Sequence, residues 1–255
     1  MITRSAGFCL LNPMSALGNA LYLVKTRAPV GVLLRYVRDQ VARPFVKKRH
    51  AALVAEVKAF ARREGFRQDW FSSNVPVWIE LFEQCGLRGR PLQALEIGSF
   101  EGLSACFFLQ QLPEARLICV DTWEGSDEHI STGASAGIEA AFDRHVAPWV
   151  ARIEKQKGTS FTYFSGPLAG RPLDFLYVDG SHHSEDVMMD ALKGFVALKV
   201  GGLMVFDDYL WSYYPRTAEN PAVAVNGFLR IISGRYRLVH VGYQLALVKT
   251  GERSR

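Results

Sequence analysis

From Pro91 onward this chain alternates short, β-rich apolar runs with helical stretches, and that rhythm leaves few folds open. The runs are Leu92–Ile97, Arg116–Val120, Phe161–Phe164, Leu173–Val178 and Leu203–Phe206. Around them, Gly102–Leu112, Gly137–Ile153, Ser184–Leu198 and Ala222–Ser233 carry apolar residues at helical spacing. This alternation predicts a parallel, doubly wound α/β sheet. Tyr236–Val241 and Tyr243–Lys249, separated by Gly242 alone, read as an antiparallel closing pair. The expected class is therefore α/β, with a seven-stranded, mostly parallel sheet and an antiparallel closing strand.

The first 65 residues read differently, with no strand signal. Val30–Val41 has the spacing of an amphipathic helix interrupted by Pro44. Lys47–Glu64 reads as a second helix, with Gly65 as its stop. A third is capped by Asn74 and carries Pro76 in its first turn. Residues 1–65 hold twelve Lys/Arg against three acids, a net of +9, whereas the other 190 hold eighteen against twenty-two, a net of −4. The chain thus divides into a basic helical extension, 1–65, and a main domain, 66–255. The extension is expected to be dispensable for the fold of residues 69–250. It offers a homo-oligomer face or, through Arg35, Arg38, Lys47, Lys48 and Arg49, a contact with an anionic membrane surface.

No run of about 18 apolar residues exists, so no membrane-spanning helix is expected. Met1–Leu23 makes a poor signal peptide, because Asn12, Pro13, Gly18 and Asn19 interrupt it. The four cysteines lack metal-type spacing, and Cys106 and Cys119 sit in apolar patterns as reduced core thiols. The expectation is a cytoplasmic protein, peripheral to the membrane if the basic extension docks there.

The chemistry lies at the strand ends. The turn Glu96-Ile97-Gly98-Ser99-Phe100-Glu101-Gly102 follows the first run. Gly98 lets the backbone approach a ligand, and Gly102 lets the next helix pack closely. The turn lacks the third glycine of a dinucleotide fingerprint and the G-K-[ST] of a phosphate loop. Glu96 would repel a pyrophosphate but suits a cationic ligand. Asp121 ends the second run, 23 residues after Gly98, where nucleotide folds place the acid that grips ribose hydroxyls. Asp179 ends the fourth run, and Asp207 and Asp208 end the fifth. Three carboxylates without a cysteine suit a hard divalent ion such as Mg²⁺. Such an ion orients substrate oxygens and lowers the pKa of a bound hydroxyl. His182, three residues beyond Asp179, can take a proton from that hydroxyl, with His183 as its rival.

With these motifs on the page, Asp69 to about Leu229 resembles the class I S-adenosylmethionine-dependent methyltransferases. It resembles most the small-molecule O-methyltransferases of the macrocin type and, more distantly, the catechol type. The Glu96–Gly102 turn is similar to motif I, and Asp121-Thr122-Trp123-Glu124-Gly125 to the ribose-binding strand end and its loop. Asp179-Gly180-Ser181-His182 and Phe206-Asp207-Asp208-Tyr209 match the remaining signatures. The resemblance implies a Rossmann-like fold and S-adenosylmethionine bound by Glu96, Gly98, Ser99, Phe100, Gly102, Asp121, Thr122 and Asp179. It also implies Mg²⁺ on Asp179, Asp207 and Asp208, with His182 as base. The catechol enzyme has lysine in place of His182 and asparagine in place of Asp208, which leaves the base open. The expected acceptor is a small hydroxylated molecule such as a sugar or glycoside, in a pocket lined by Trp123–Ser135 and Trp211–Tyr214. The competing readings are a metal-free N- or O-methyltransferase and a non-catalytic S-adenosylmethionine-binding scaffold. Nucleic acid is the weakest partner, since no N-P-P-Y-like tetrapeptide occurs.

Overall fold

The computed structural model describes residues 15–125, 137–166 and 170–253. Four helices precede the sheet: α1 (Ala16–Lys25), α2 (Val30–Arg49), α3 (Ala51–Glu64) and α4 (Val75–Gln84). Then come β1 (Leu92–Ile97), α5 (Leu103–Gln111), β2 (Ala115–Asp121), α6 (Ile138–Val146) and β3 (Ile153–Lys157). They are followed by α7 (Ser160–Ser165), β4 (Leu173–Val178), α8 (Ser184–Ala197) and β5 (Leu198–Phe206). The chain closes with α9 (Pro221–Ile231), β6 (Tyr236–Val241) and β7 (Leu245–Lys249).

The seven strands lie in the order β3-β2-β1-β4-β5-β7-β6. The first five are parallel, and β7 runs antiparallel against both β5 and β6. The direction of winding reverses between β1 and β4, which are paired from Ala94↔Phe175 to Ile97↔Val178. In such sheets the ligand crevice opens at that reversal, outside the carboxyl ends of the strands. Side chains alternate across the sheet. Ala94, Cys119, Phe175 and Tyr177 pack under α3–α6, while Leu95, Ile97, Leu176 and Val178 pack under α1, α2 and α7–α9.

Three local expectations change. β3 is Ile153–Lys157, and Phe161–Phe164 is helical. The strand is polar and half exposed at the sheet edge, so it lacks the apolar run by which buried strands are read. The Thr159 hydroxyl accepts from Thr162 N–H at 3.2 Å and starts a helix where a strand was expected. Pro44 does not end α2, which continues to Arg49 and breaks at His50. Pro44 is exposed, so water can serve the carbonyl it leaves unpaired. Asn74 makes no capping bond from its side chain, whereas Gly65 ends α3 in the left-handed region as expected.

The N-terminal helices do not behave as a detachable extension. Tyr22, Leu23, Val32 and Tyr36 are buried in the core on one face of the sheet. β6 is an edge strand, and α2 occupies its open polar groups. Arg35 donates to the Leu238 and Val239 carbonyls, and Val241 N–H donates to Asp39 at 2.8 Å. Unpaired edges invite strand addition from other chains, so this cover protects the sheet. Asn226 on α9 also donates to Thr26 Oγ1 at 3.0 Å and accepts from Tyr209 at 2.7 Å. No helix among the described residues is long and apolar enough to cross a membrane. Cys106 and Cys119 are buried free thiols.

One buried acid works against the fold. Asp190 on α8 is nearly fully buried, and its Oδ1 has no hydrogen-bond partner among the described residues. Burial pushes its carboxyl up to about 7, against the pull of the Ser160 hydroxyl. A carboxyl raised in the folded state costs nothing below its unfolded pKa. The cost grows as pH rises from about 4 and is complete above about 7. Asp190→Asn should therefore stabilise the protein at pH 8, by on the order of 2–4 kcal/mol, and change little at pH 4. Urea unfolding at the two pH values checks this, and an equal effect at both would refute it.

Candidate active site at the carboxyl ends of the central strands

The loops after β1, β2, β4 and β5 meet at the reversal point. Gly98 has φ +86°, and a Cβ there would lie 1.9 Å from the Asp179 carbonyl oxygen. The β1 and β4 tips are therefore in backbone contact, and the glycine turn shares a wall with the acids. Gly102 also has φ +86°; a Cβ there would press on Phe142 and Val146 at 3.0 Å. Its role is to seat α6 against the start of α5. Three non-glycine residues at the crevice, Phe100, Trp123 and Asp208, have φ between +45° and +56°. Held together by tertiary contacts, such backbones commonly mark functional sites.

Asp121 ties the first two loops together. Its Oδ2 accepts from Ser99 and Phe100 N–H, both at 2.8 Å, and its Oδ1 from Trp123 N–H at 2.7 Å. A carboxylate has about four acceptor positions, so a ribose hydroxyl would share it with these three. Thr122 turns to its own loop, where its hydroxyl accepts from Glu124 N–H at 3.2 Å. Glu96 is enclosed beneath the turn and is not presented to the crevice. Ser99 Oγ donates to its Oε2 at 2.7 Å, and Oε1 is buried without a hydrogen-bond partner among the described residues. Burial pushes the Glu96 carboxyl up to about 7, while the Ser104 and Ser99 hydroxyls pull it down. Its attraction for a cationic ligand would therefore act through the turn and not by contact.

The acids and the histidine pair converge at the rims of β4 and β5. Ligand atoms of Asp179, His182 and Asp208 all lie within 4.8 Å of one another. His182 Nε2 is 2.5 Å from Asp208 Oδ2. Asp207, expected among them, is not in that close group and is engaged by other partners. Its Oδ2 accepts from the Tyr177 hydroxyl and its Oδ1 from Asp208 N–H at 2.9 Å. The reason is backbone geometry. Asp207 still extends the ladder, with its N–H on the Val178 carbonyl at 2.9 Å, whereas Asp208 has φ +51°. The left-handed residue brings its side chain to His182, and its neighbour stays on Tyr177.

Burial, then the Asp207 and Asp208 charges, raise the Asp179 carboxyl well above the usual carboxylate range. Burial and Asp208 push Asp207 up to about 6. Crowded carboxylates of this kind are relieved by a cation or by protons. The two carboxylates Asp179 and Asp208 at this spacing fit a divalent ion, with the His182 imidazole beside them.

The two histidines part ways. His183 stacks on Tyr214 with ring centres 4.4 Å apart, its Nε2 3.1 Å from the Tyr214 hydroxyl. His182 faces Asp208 and stacks on Trp211 at 4.6 Å. Trp211 in turn contacts Tyr213 and Tyr214 at 5.3 and 5.0 Å. Trp123 is buried against Phe142, and its Nε1–H donates to the Phe100 carbonyl at 2.9 Å, so it is a packing residue. The remainder of the expected acceptor loop, from 126 to 135, lies outside the described residues. Tyr177 escaped the sequence reading. Its signal is the period-two spacing to Asp179, the residue that follows β4, which turns both toward the same side of the sheet.

A family model described as a methyltransferase domain matches residues 95–209, a little under half of the chain. That segment is similar to a methyltransferase domain. It spans the Glu96–Gly102 turn, Asp121, Asp179, His182 and the Asp207-Asp208 pair, so every candidate site residue lies inside it. No curated protein matches the chain. Among solved structures, one from Staphylococcus aureus assigned as a caffeoyl-CoA O-methyltransferase superposes with TM-score 0.55 at 12% identity, covering 83% of this chain and 100% of that one. A Klebsiella pneumoniae protein assigned as an O-methyltransferase gives 0.52 at 15%, covering 78% and 90%. MycE of the mycinamycin biosynthetic pathway, solved with Mg and S-adenosylhomocysteine, gives 0.54 at 17%, covering 77% and 54%. At these identities the likeness is one of fold, a Rossmann-like sheet with helices on both faces.

Proposed function

We propose that this methyltransferase domain methylates a hydroxyl oxygen of a small acceptor, with a divalent ion held by Asp179 and Asp208. The observation that carries the reading is the convergence of Asp179, His182 and Asp208 beside the Gly98 turn. The turn holds the donor's methionine end, and Asp121 fixes the shape of that turn. His182 takes the proton of the acceptor hydroxyl. The oxygen then attacks the methyl carbon in line, the C–O bond forms, and the C–S bond breaks with its electron pair going to sulfur. When bound, the ion supplies charge that favours the ionised acceptor oxygen. Asp207 supports the site from behind, holding Asp208 N–H and Tyr177. Trp211 and Tyr213 offer ring faces to an acceptor such as a sugar. The magnesium in MycE lends weight to this reading.

The direct His182–Asp208 contact favours a second, metal-free reading. There Nε2–H donates to Asp208, and the carboxylate alone orients the base. Methylation of hydroxylated acceptors with and without EDTA separates the two, alongside Asp208→Asn. In the metal reading each treatment lowers turnover by at least the roughly 10–100-fold lost when a supporting residue is removed. S-adenosylhomocysteine affinity should stay unchanged. Full activity in EDTA would establish the dyad. Donor binding with no transfer to any hydroxylated acceptor would point to a scaffold.

A further inference from the structure

The N-terminal helical hairpin carries a surface that the methyltransferase chemistry does not use. On α1, Leu17, Leu21 and Val24 are 60–70% exposed. On α2, Val30, Leu34, Val37, Val41 and Phe45 are 60–72% exposed. Their spacing of three or four residues places each set along one stripe of its helix. The opposite sides of both helices are committed to the domain through Tyr22, Leu23, Val32 and Tyr36. The stripe is not a scattering of single apolar residues. Eight of the sixteen exposed large apolar side chains among the described residues lie on these two helices. Contiguous exposed apolar surface of this kind marks an interaction site.

The charge around it selects the partner. Arg38 and Lys48 fall within about a quarter-turn of the α2 stripe, Arg49 beside them is paired with Glu80 of α4 at 2.8 Å, and Lys25 and Arg27 follow the α1 stripe. Between residues 15 and 49 the single acid is Asp39, and it is occupied by Arg35 and Val241 N–H. A second copy of this chain seated on the face would set this basic rim against its own like charge. An anionic lipid surface satisfies both features, because its headgroups meet the basic rim and its acyl boundary receives the apolar stripe.

We infer that the α1–α2 face docks peripherally on an anionic bilayer surface. The docking helix touches the active-site loop, since the Tyr22 hydroxyl donates to the Trp211 carbonyl at 3.4 Å. The proposal stands on the hairpin's own surface and is independent of the acceptor reading.

Flotation of the full chain with phosphatidylcholine vesicles, with and without phosphatidylserine, tests it. Binding should require phosphatidylserine and fall as salt rises. Arg38→Glu/Lys48→Glu and Leu34→Glu/Val41→Glu should each weaken it by on the order of tenfold or more, with unchanged thermal melting. Arg38 and Lys48 are exposed, so the charge-reversal result stands even if the apolar pair perturbs the fold. Equal or absent binding to both vesicles would overturn the proposal. A dimer in sedimentation that Leu34→Glu/Val41→Glu dissolves, with no flotation, would assign the face to a second copy instead.

Discussion

His182→Ala lowers methyl transfer by roughly 10²–10⁴-fold, the range a positioned general base supplies, and leaves donor affinity close to that of the wild type. The expectation rests on orientation. His182 points its Nε2 at Asp208 and is sandwiched against Trp211, whereas His183 is held by Tyr214. His183→Ala should therefore cost far less. Steady-state rates of both variants, with S-adenosylhomocysteine titrations, make the comparison. Imidazole added to His182→Ala should restore part of the rate, which loss of packing alone would not allow. The reverse order of the two variants would move the base to His183. Equal, small losses in both would remove a histidine base from the mechanism.

Gly98→Ala prevents the two halves of the site from closing. The left-handed backbone alone costs about 1–2 kcal/mol for a residue with a Cβ. At Gly98 the new atom would also sit 1.9 Å from the Asp179 oxygen, 2.5 Å from its carbonyl carbon and 2.8 Å from Gly180 Cα. All three are backbone atoms of the neighbouring strand end, so no side chain can swing aside. Together the effects should exceed about 4 kcal/mol, the size associated with overpacking at a strained position. Gly65 provides the control. It has φ +78° with nothing within 4 Å of its Cβ position, so Gly65→Ala should lose only the backbone part. Urea unfolding of the two variants, with donor titration where Gly98→Ala still folds, checks the contrast. Equal losses at the two positions would show that β1 and β4 separate easily.

Both expectations depend on contacts between strands that are far apart in sequence. Val178 and Phe206 pair in register, which brings the loop bearing Asp179 and His182 beside Asp208. The glycine turn joins them through the Asp121 carboxylate and the Gly98–Asp179 approach. A loss at any of these positions should therefore be felt on both sides of the crevice.

The sequence by itself determined the architecture, because buried parallel strands must be apolar on both faces and must alternate with covering helices. Leu92–Ile97, Leu173–Val178 and the end of β5 were legible on that ground, as were the acids that end them. β3 was not, since an edge strand carries polar residues such as Glu154, Lys155 and Gln156 and shows no apolar run. Glycine spacing pointed to the turn at Gly98, yet only the fold showed which atoms crowd it. The site residue types were readable, but their directions were not. A left-handed backbone at Asp208 separates it from Asp207, and aromatic partners divide His182 from His183. Only tertiary structure turned the basic N-terminus into the cover of the β6 edge. Arg35 and Asp39 meet β6 about two hundred residues further along the chain, and local periodicity carries no information over that distance.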